Sequence, residues 1–320
     1  MSRARTLAMV CGFVLALHTT SALAQSADTR PLRLVVNFPP GGGTDVLGRA
    51  VAAKLESVLK RTVIVENRPG AGGAIGAEYV AQTARDGQHL LFGAVVPSPR
   101  LYVQPEGMAN YAAVCVIARS PFLVAVHTGV PATSLADLVK LAKAKPGSLN
   151  YGSPGNATPH HLATELFKLA AGVDVVHVPY KGGGPMVTDL LGGQIQLTFA
   201  TVSSIEAHVA SGRVRALAIT GATRWGKMPS IPTVAESGYP GFQAEVGYGA
   251  FVSAGTPADI ILGLNRALNE VLKATEVAEK LTAQGYAAVG GTPEELASTM
   301  RKEVESIGVL FKAGRVQMDK

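Results

Sequence analysis

Short apolar runs and segments of helical periodicity take turns along this chain. Leu32 to Val36 is a branched-apolar run of the length of a buried strand. It breaks into Phe38-Pro39-Pro40-Gly41-Gly42-Gly43, after which Val46, Leu47, Ala50, Val51 and Leu55 recur at helical spacing. Thr44 or Asp45 is the expected N-cap of that helix. Thr62 to Glu66 repeats the strand pattern, Asn67 to Gly73 the glycine-rich loop, and Ile75 to Ala84 the helix. Asp86-Gly87 then turns the chain into a third strand, Leu90 to Gly93. This strand–helix rhythm predicts a parallel sheet with right-handed crossovers, and ligands of such sheets sit at the carboxyl ends of the strands. The glycine loops lie at those ends.

Residues 94–112 are proline-rich and irregular, and Val114 to Ala118 and Phe122 to His127 read as two strands. The rhythm then restarts. Ser134 to Ala144 is a helix with Ser134 as N-cap and Asp137 three residues on, the pattern of a capping box. Strands are expected at Leu149–Gly152, Val175–Pro179, Gln194–Phe199, Arg215–Ile219 and Val246–Val252. Helices are expected at His160–Ala171, Pro185–Leu191 and Ser204–Ala210. The tail is helical over Pro257–Ala274, Thr275–Gln284 and Pro293–Ala313, around a short strand near Ala287–Val289.

Two α/β units of similar build therefore share one chain. The expected division places residues 25–126 and 248–320 in one domain and 127–247 in the other. Phe122–His127 and Gly247–Val252 are the expected crossing strands. Two such lobes across a cleft are the plan of a protein that closes on its ligand.

Composition narrows the setting. Arg3 and Arg5 precede an apolar run, Leu7 to Leu17, too short to span a bilayer, and Ala22-Leu23-Ala24 is a small-x-small cleavage pattern. Residues 1–24 are read as a signal peptide, so export to the periplasm is expected. Cys11 would leave with it, and Cys115 lies in an apolar run, as a buried thiol does. Without Arg3 and Arg5 the net charge of +6 falls to +4. The remaining cations are scattered, which disfavours nucleic acid and suits anionic ligands.

The chemistry the residues offer is anion binding. Gly41-Gly42-Gly43-Thr44-Asp45 has neither dinucleotide nor P-loop spacing, but glycines before a helix start present N–H donors and the positive end of a dipole. His160-His161 lacks the spacing of a metal site. Ser153, Ser203 and Ser204 lack a Gly-x-Ser-x-Gly elbow. Asp45 reads as a cap before it reads as a general base. An exported α/β enzyme acting on a small acid is the alternative to a receptor, and its catalytic constellation is missing. No cofactor and no metal are expected.

The segments NFPPGGGTDVLGR (37–49), ENRPGAGGAIGAEYVA (66–81), NYGSPGNATPHHLATELF (150–167), DVVHVPYKGGGPMVTDLLGGQIQLTF (174–199), VRALAIT (214–220), IPTVAESGYPGF (231–242) and AGTPADIILGLN (254–265) resemble the Bug family. These are the extracytoplasmic solute receptors of tripartite tricarboxylate transporters. The resemblance implies a bilobed periplasmic-binding-protein fold, type II-like, that acts as a monomer. It also implies a small organic carboxylate as ligand, and delivery to membrane permease subunits or a sensor protein. It places the grip in two loops, Phe38 to Asp45 (Phe38, Pro40, Gly41, Gly42, Thr44, Asp45) and Ser153 to Thr158 (Ser153, Gly155, Asn156, Ala157, Thr158). Tyr180 and Lys181 border the cleft, and Ala200 and Thr201 follow the strand after it. Three positions depart from the family pattern. Ala200 stands where an aspartate is common, which speaks against a ligand ammonium. Gly247 stands where an aromatic is common, which predicts extra space beside the crossing strand. Residues 94–112 are shorter than usual.

Overall fold

The computed structural model describes residues 30–317. The signal-peptide reading of residues 1–24 lies outside them. Ten strands form one sheet: eight follow the path β2-β1-β3-β9-β4-β7-β5-β6, and β8 and β10 also pair β4. The first part is β1 (Leu32–Val36) between β2 (Val63–Asn67) and β3 (His89–Ala94), all parallel. β9 (Glu245–Ser253) runs antiparallel between β3 and β4 (Tyr111–His127). The second part is β5 (Asn150–Ser153) between β6 (Val176–Pro179) and β7 (Leu197–Thr201), again parallel. β7 and β8 (Val214–Ile219) pair antiparallel with the far end of β4. β10 is Ala287–Ala288.

Sequence pattern splits Val114–Ala118 from Phe122–His127, but the structure joins them into the single 17-residue strand β4. Proline at position 121 suggests a break because it has no N–H to give a ladder. Pro121 sits where the strand changes partner: Tyr111–Pro121 pair with β9, and Phe122–His127 with β7 and β8. The next N–H, of Phe122, goes to the Thr220 hydroxyl at 2.8 Å. β9, expected to cross between the units, lies wholly in the first part of the sheet; the passage comes just before it, where Ala244 N–H bonds Thr220 O at 3.1 Å.

Nine helices are described. α1 (Gly43–Leu59) and α2 (Ala74–Ala81) follow the first two strands. α3 (Leu135–Ala144), α4 (Pro159–Ala171), α5 (Gly183–Leu191) and α6 (Val202–Ala210) serve the second part of the sheet. α7 (Ala258–Lys273), α8 (Thr275–Ala283) and α9 (Pro293–Lys312) form the tail. The tail helices return to the first part: α7 packs on α1 and β4, α9 on β4. Leu47, Val51 and Leu55 of α1 and Leu264, Leu268 and Val271 of α7 share one core. The capping box of α3 is present, with Asp137 N–H 3.1 Å from Ser134 Oγ and Ser134 N–H 3.0 Å from Asp137 Oδ2. Residues 94–112 hold two 3-10 turns, Pro99–Tyr102 and Pro105–Asn110. Cys115 is buried, and burial pushes its thiol up to about 12, so it is inert at neutral pH.

Candidate functional site

The loop after β1 enters α1 through Gly42, which offers no side-chain cap. Neither Thr44 nor Asp45 caps the helix. Asp45 turns back instead: its carboxylate accepts from Gly41 N–H at 2.9 Å, Arg49 Nε at 3.0 Å and Asn67 Nδ2 at 2.9 Å. Asn67 also donates to Phe38 O at 3.0 Å. Asp45 is 3% exposed. Burial alone would raise its pKa, but the Arg49, Gly41 and Asn67 hydrogen bonds outweigh it and hold the carboxyl below its ordinary value. Asp45 thus ties the loop to the helix from behind and leaves the other helix-start N–H groups to the cavity. Asp45→Ala should weaken ligand binding about tenfold, because loosening the loop adds an ordering cost at binding; calorimetry reads it. Because the folded pKa is depressed, the carboxylate's contribution is present above the unfolded value and lost as pH falls through the folded one.

A cavity of about 230 Å³ opens in front of this loop, lined by Phe38, Pro40, Gly41, Gly42 and Thr44. Its opposite wall is the start of α5, Gly183-Gly184-Pro185-Met186, entered through uncapped Gly182 at φ +109°. The two loops touch there: a Cβ on Gly182 would stand 3.2 Å from Pro39 Cγ. Pro159 and His160 at the start of α4 close another side, with Val246 and Tyr248 of β9. A second chamber of about 690 Å³ lies beyond Phe38, Pro39, Lys181 and Gly182, which border both. It is walled by Gly70–Gly73 on one side and by Gly155, Asn156 and Tyr180 on the other.

Hydroxyls of Thr44, Thr201, Ser204 and Tyr248 line the inner cavity, and those of Tyr286 and Ser203 link them from behind. Tyr248 bonds Thr44 and Tyr286 through its hydroxyl. Tyr286 Oη is 2.9 Å from Ser203 Oγ, which is 3.3 Å from Thr201 Oγ1, itself 3.2 Å from Ser204 Oγ. Burial holds the Tyr248 hydroxyl well above its ordinary pKa, so it stays protonated. Each hydroxyl can turn to donate or accept.

The expected residues divide three ways. Phe38, Pro40, Gly41, Gly42, Thr44, Lys181 and Thr201 line the inner cavity. Gly155, Asn156 and Tyr180 line the outer chamber, with Phe38 and Lys181 shared. Asp45, Ser153, Ala157, Thr158 and Ala200 line neither. The loop 153–158 is tied to itself: Ser153 Oγ and Thr158 Oγ1 both donate to Gly155 O at 2.8 Å, and Ser153 Oγ lies 2.7 Å from His177 Nε2. Ala200 is fully buried in the core. Gly247 leaves no spare room, because a Cβ there would meet Val95 Cγ1 at 2.8 Å. Reading the sequence missed Gly183, Gly184, Pro185, Met186, His160 and Tyr248 as cavity residues. Lys181-Gly182-Gly183-Gly184 before a helix repeats the grammar of 38–45, and that signal could have found the first four. The described residues contain no group of three or more His, Cys, Asp or Glu placed to hold an ion.

Two α/β parts of the sheet meet over a cavity walled by helix starts. The comparisons name the kind of protein. The family model for the tripartite tricarboxylate transporter family receptor matches residues 47–315. Protein BugT of Bordetella pertussis is 35% identical over 326 residues, covering 98% of this chain and 99% of BugT. The structure of periplasmic binding protein BugD superposes with a TM-score of 0.83 at 29% identity, covering 91% of this chain and 99% of that one. That of Rhodopseudomonas palustris Rpa4515 with adipate does so at 0.78 and 33%, covering 89% and 96%. The chain belongs to the tripartite tricarboxylate transporter receptor family.

Proposed function

We propose that this chain is a periplasmic receptor, not an enzyme, that captures a small organic carboxylate and hands it to membrane permease subunits or a sensor. The carrying observation is that two helices, α1 and α5, begin at glycines without side-chain caps and face one cavity from opposite sides. Uncapped N–H groups and two dipole ends converging on one space suit a carboxylate. Hydrogen bonds to a charged group contribute roughly 1.5–3 kcal/mol each. Three or four approach the ~8 kcal/mol of micromolar binding before ordering costs. The adipate in the Rpa4515 structure supports an acid of this size class. We take residues 25–126 with 248–320 as one closing half and 127–247 as the other, in a monomer exported through cleavage after Ala24. Among the described residues no helix is long and apolar enough to cross a membrane.

The test is a thermal-shift screen of diacids, aromatic acids, amino acids and neutral sugars, followed by calorimetry on the hits. Diacids should raise the melting temperature and bind with micromolar dissociation constants. Tight binding of a neutral sugar, with no response to any acid, would overturn the reading.

A further inference from the structure

His160 and His161 are neighbours with opposite engagements. His161 is committed to structure: its Nδ1 accepts from Ala157 N–H at 3.0 Å, and its ring stacks on His177 with centroids 3.8 Å apart. His160, in the first turn of α4, lines the inner cavity. Its ring packs on Phe122 at 4.9 Å, and its Nδ1 is shielded from solvent without a hydrogen-bond partner. Keeping a shielded polar nitrogen unpaired costs stability that an apolar side chain would not. Burial pushes the imidazole down to about 4, so the ring is neutral at pH 7. Its place at a helix start acts in the same direction.

The surroundings of His160 bring little charge. Lys181 is the sole Lys, Arg, Asp or Glu among the residues lining the cavity. Of the strands packed against α4, β5 brings Tyr151, whose hydroxyl donates to Glu165 at 2.7 Å. β7 brings Thr201 and β9 brings protonated Tyr248. On α4 itself Glu165 and Lys168 pair at 2.7 Å. One ligand carboxylate is therefore matched by Lys181 and the helix starts. A second would meet Ala94, Met186, Val246, the hydroxyls and His160.

On the footing of the carboxylate-receptor reading, we propose that His160 is the specificity-determining residue for the ligand's second acidic group. It takes one proton from solvent when a dianion binds and stays neutral beside a monoanion. The proton adds to a lone pair of the ring, and no bond in the ligand changes. A carboxylate in contact favours the imidazolium that burial alone disfavours. Dianion binding is then linked to proton uptake, and affinity rises as pH falls, by up to about tenfold per pH unit between the free and bound pKa values.

The test is calorimetry with succinate and adipate against butyrate and hexanoate, at about pH 6.5 and about pH 8.5, in buffers of differing ionisation enthalpy; both diacids are predominantly dianions through that window, and affinities are corrected for the remaining monoanion at the lower pH. At the lower pH each bound dianion should take up close to one proton, and its affinity should be about fivefold or more higher there than at the higher pH. Monoanions should show neither effect. His160→Gln, which bonds without titrating, should bind dianions with no pH slope. His160→Phe should keep the packing on Phe122 and lose the preference for diacids over monoacids. Dianion binding without proton uptake, or an unchanged slope in His160→Gln, would overturn the inference and leave the receptor reading standing. Failure of every acid to bind would overturn both.

Discussion

Replacing Gly43 by valine is expected to abolish carboxylate capture while leaving the chain folded. Gly43 is the first residue of α1, and its φ lies outside the left-handed region, so a side chain there strains no backbone. What it meets is the hydroxyl network beside the cavity. A Cβ at this position would stand 2.7 Å from Tyr286 Oη, 3.3 Å from Ser203 Oγ and 3.5 Å from Thr201 Oγ1. Tyr286 is fully buried and has nowhere to retreat. The valine must break the Tyr286–Ser203 hydrogen bond and prop the α6 start away from α1. The N–H groups at the starts of α1 and α5 then no longer reach one ligand together. Affinity should fall by at least about a hundredfold, or roughly 3 kcal/mol. Gly42→Ala is the matched control, since its Cβ would meet only Pro39 O at 3.5 Å. It should stay within about threefold of the parent, well under 1 kcal/mol. Calorimetry gives the affinities and circular dichroism the fold. A Gly43→Val protein that binds normally would show that the hydroxyl contact is not required for capture.

The inner cavity was half legible in the sequence, and the reason is local grammar. Strand, glycine run and helix start are contiguous at 32–59, so the pattern alone brings Gly41, Gly42 and Thr44 to one loop, and that loop lines the cavity. The same grammar at 150–171 leads to a different placement. There the hydroxyls of Ser153 and Thr158 fold the loop onto Gly155 O, and His177 holds it from β6, so Ser153, Ala157 and Thr158 turn away from the cavity. No spacing rule reports a loop that satisfies its own hydrogen bonds. The remaining walls are products of long-range packing. Tyr248 reaches Thr44 because β9 lies beside β3, and His160 comes to the same cavity from the second part of the sheet. The β4 strand was misread for a related reason. A proline marks a break only where a ladder needs its N–H, and Pro121 sits at the change of partner, where none is needed.

Glu303→Gln is expected to stabilise the protein above neutral pH and to do little in mild acid. Glu303 lies on α9 and accepts a hydrogen bond from the Tyr102 hydroxyl at 3.0 Å. Tyr102 is itself buried, stacked on Phe311 with centroids 5.5 Å apart. Burial pushes the Glu303 carboxyl from 4.5 up to about 7, against the opposing pull of the Tyr102 hydrogen bond and the Arg119 charge. The folded pKa is raised above the unfolded one. The neutral carboxyl's contribution is therefore fully present below about pH 4.5 and is lost as pH rises through about 7. At pH 8 the folded chain carries a carboxylate in a place that disfavours it, at a cost of roughly 2–3 kcal/mol. Glutamine still accepts from Tyr102 and never ionises. The variant's thermal midpoint should exceed the parent's by several degrees at pH 8, and the two should converge near pH 5. Tyr102→Phe should move the other way at pH 8, because the ionised carboxylate loses the hydrogen bond that favours it. A midpoint difference for Glu303→Gln that is the same at both pH values would show that the glutamate's ionisation is not coupled to folding.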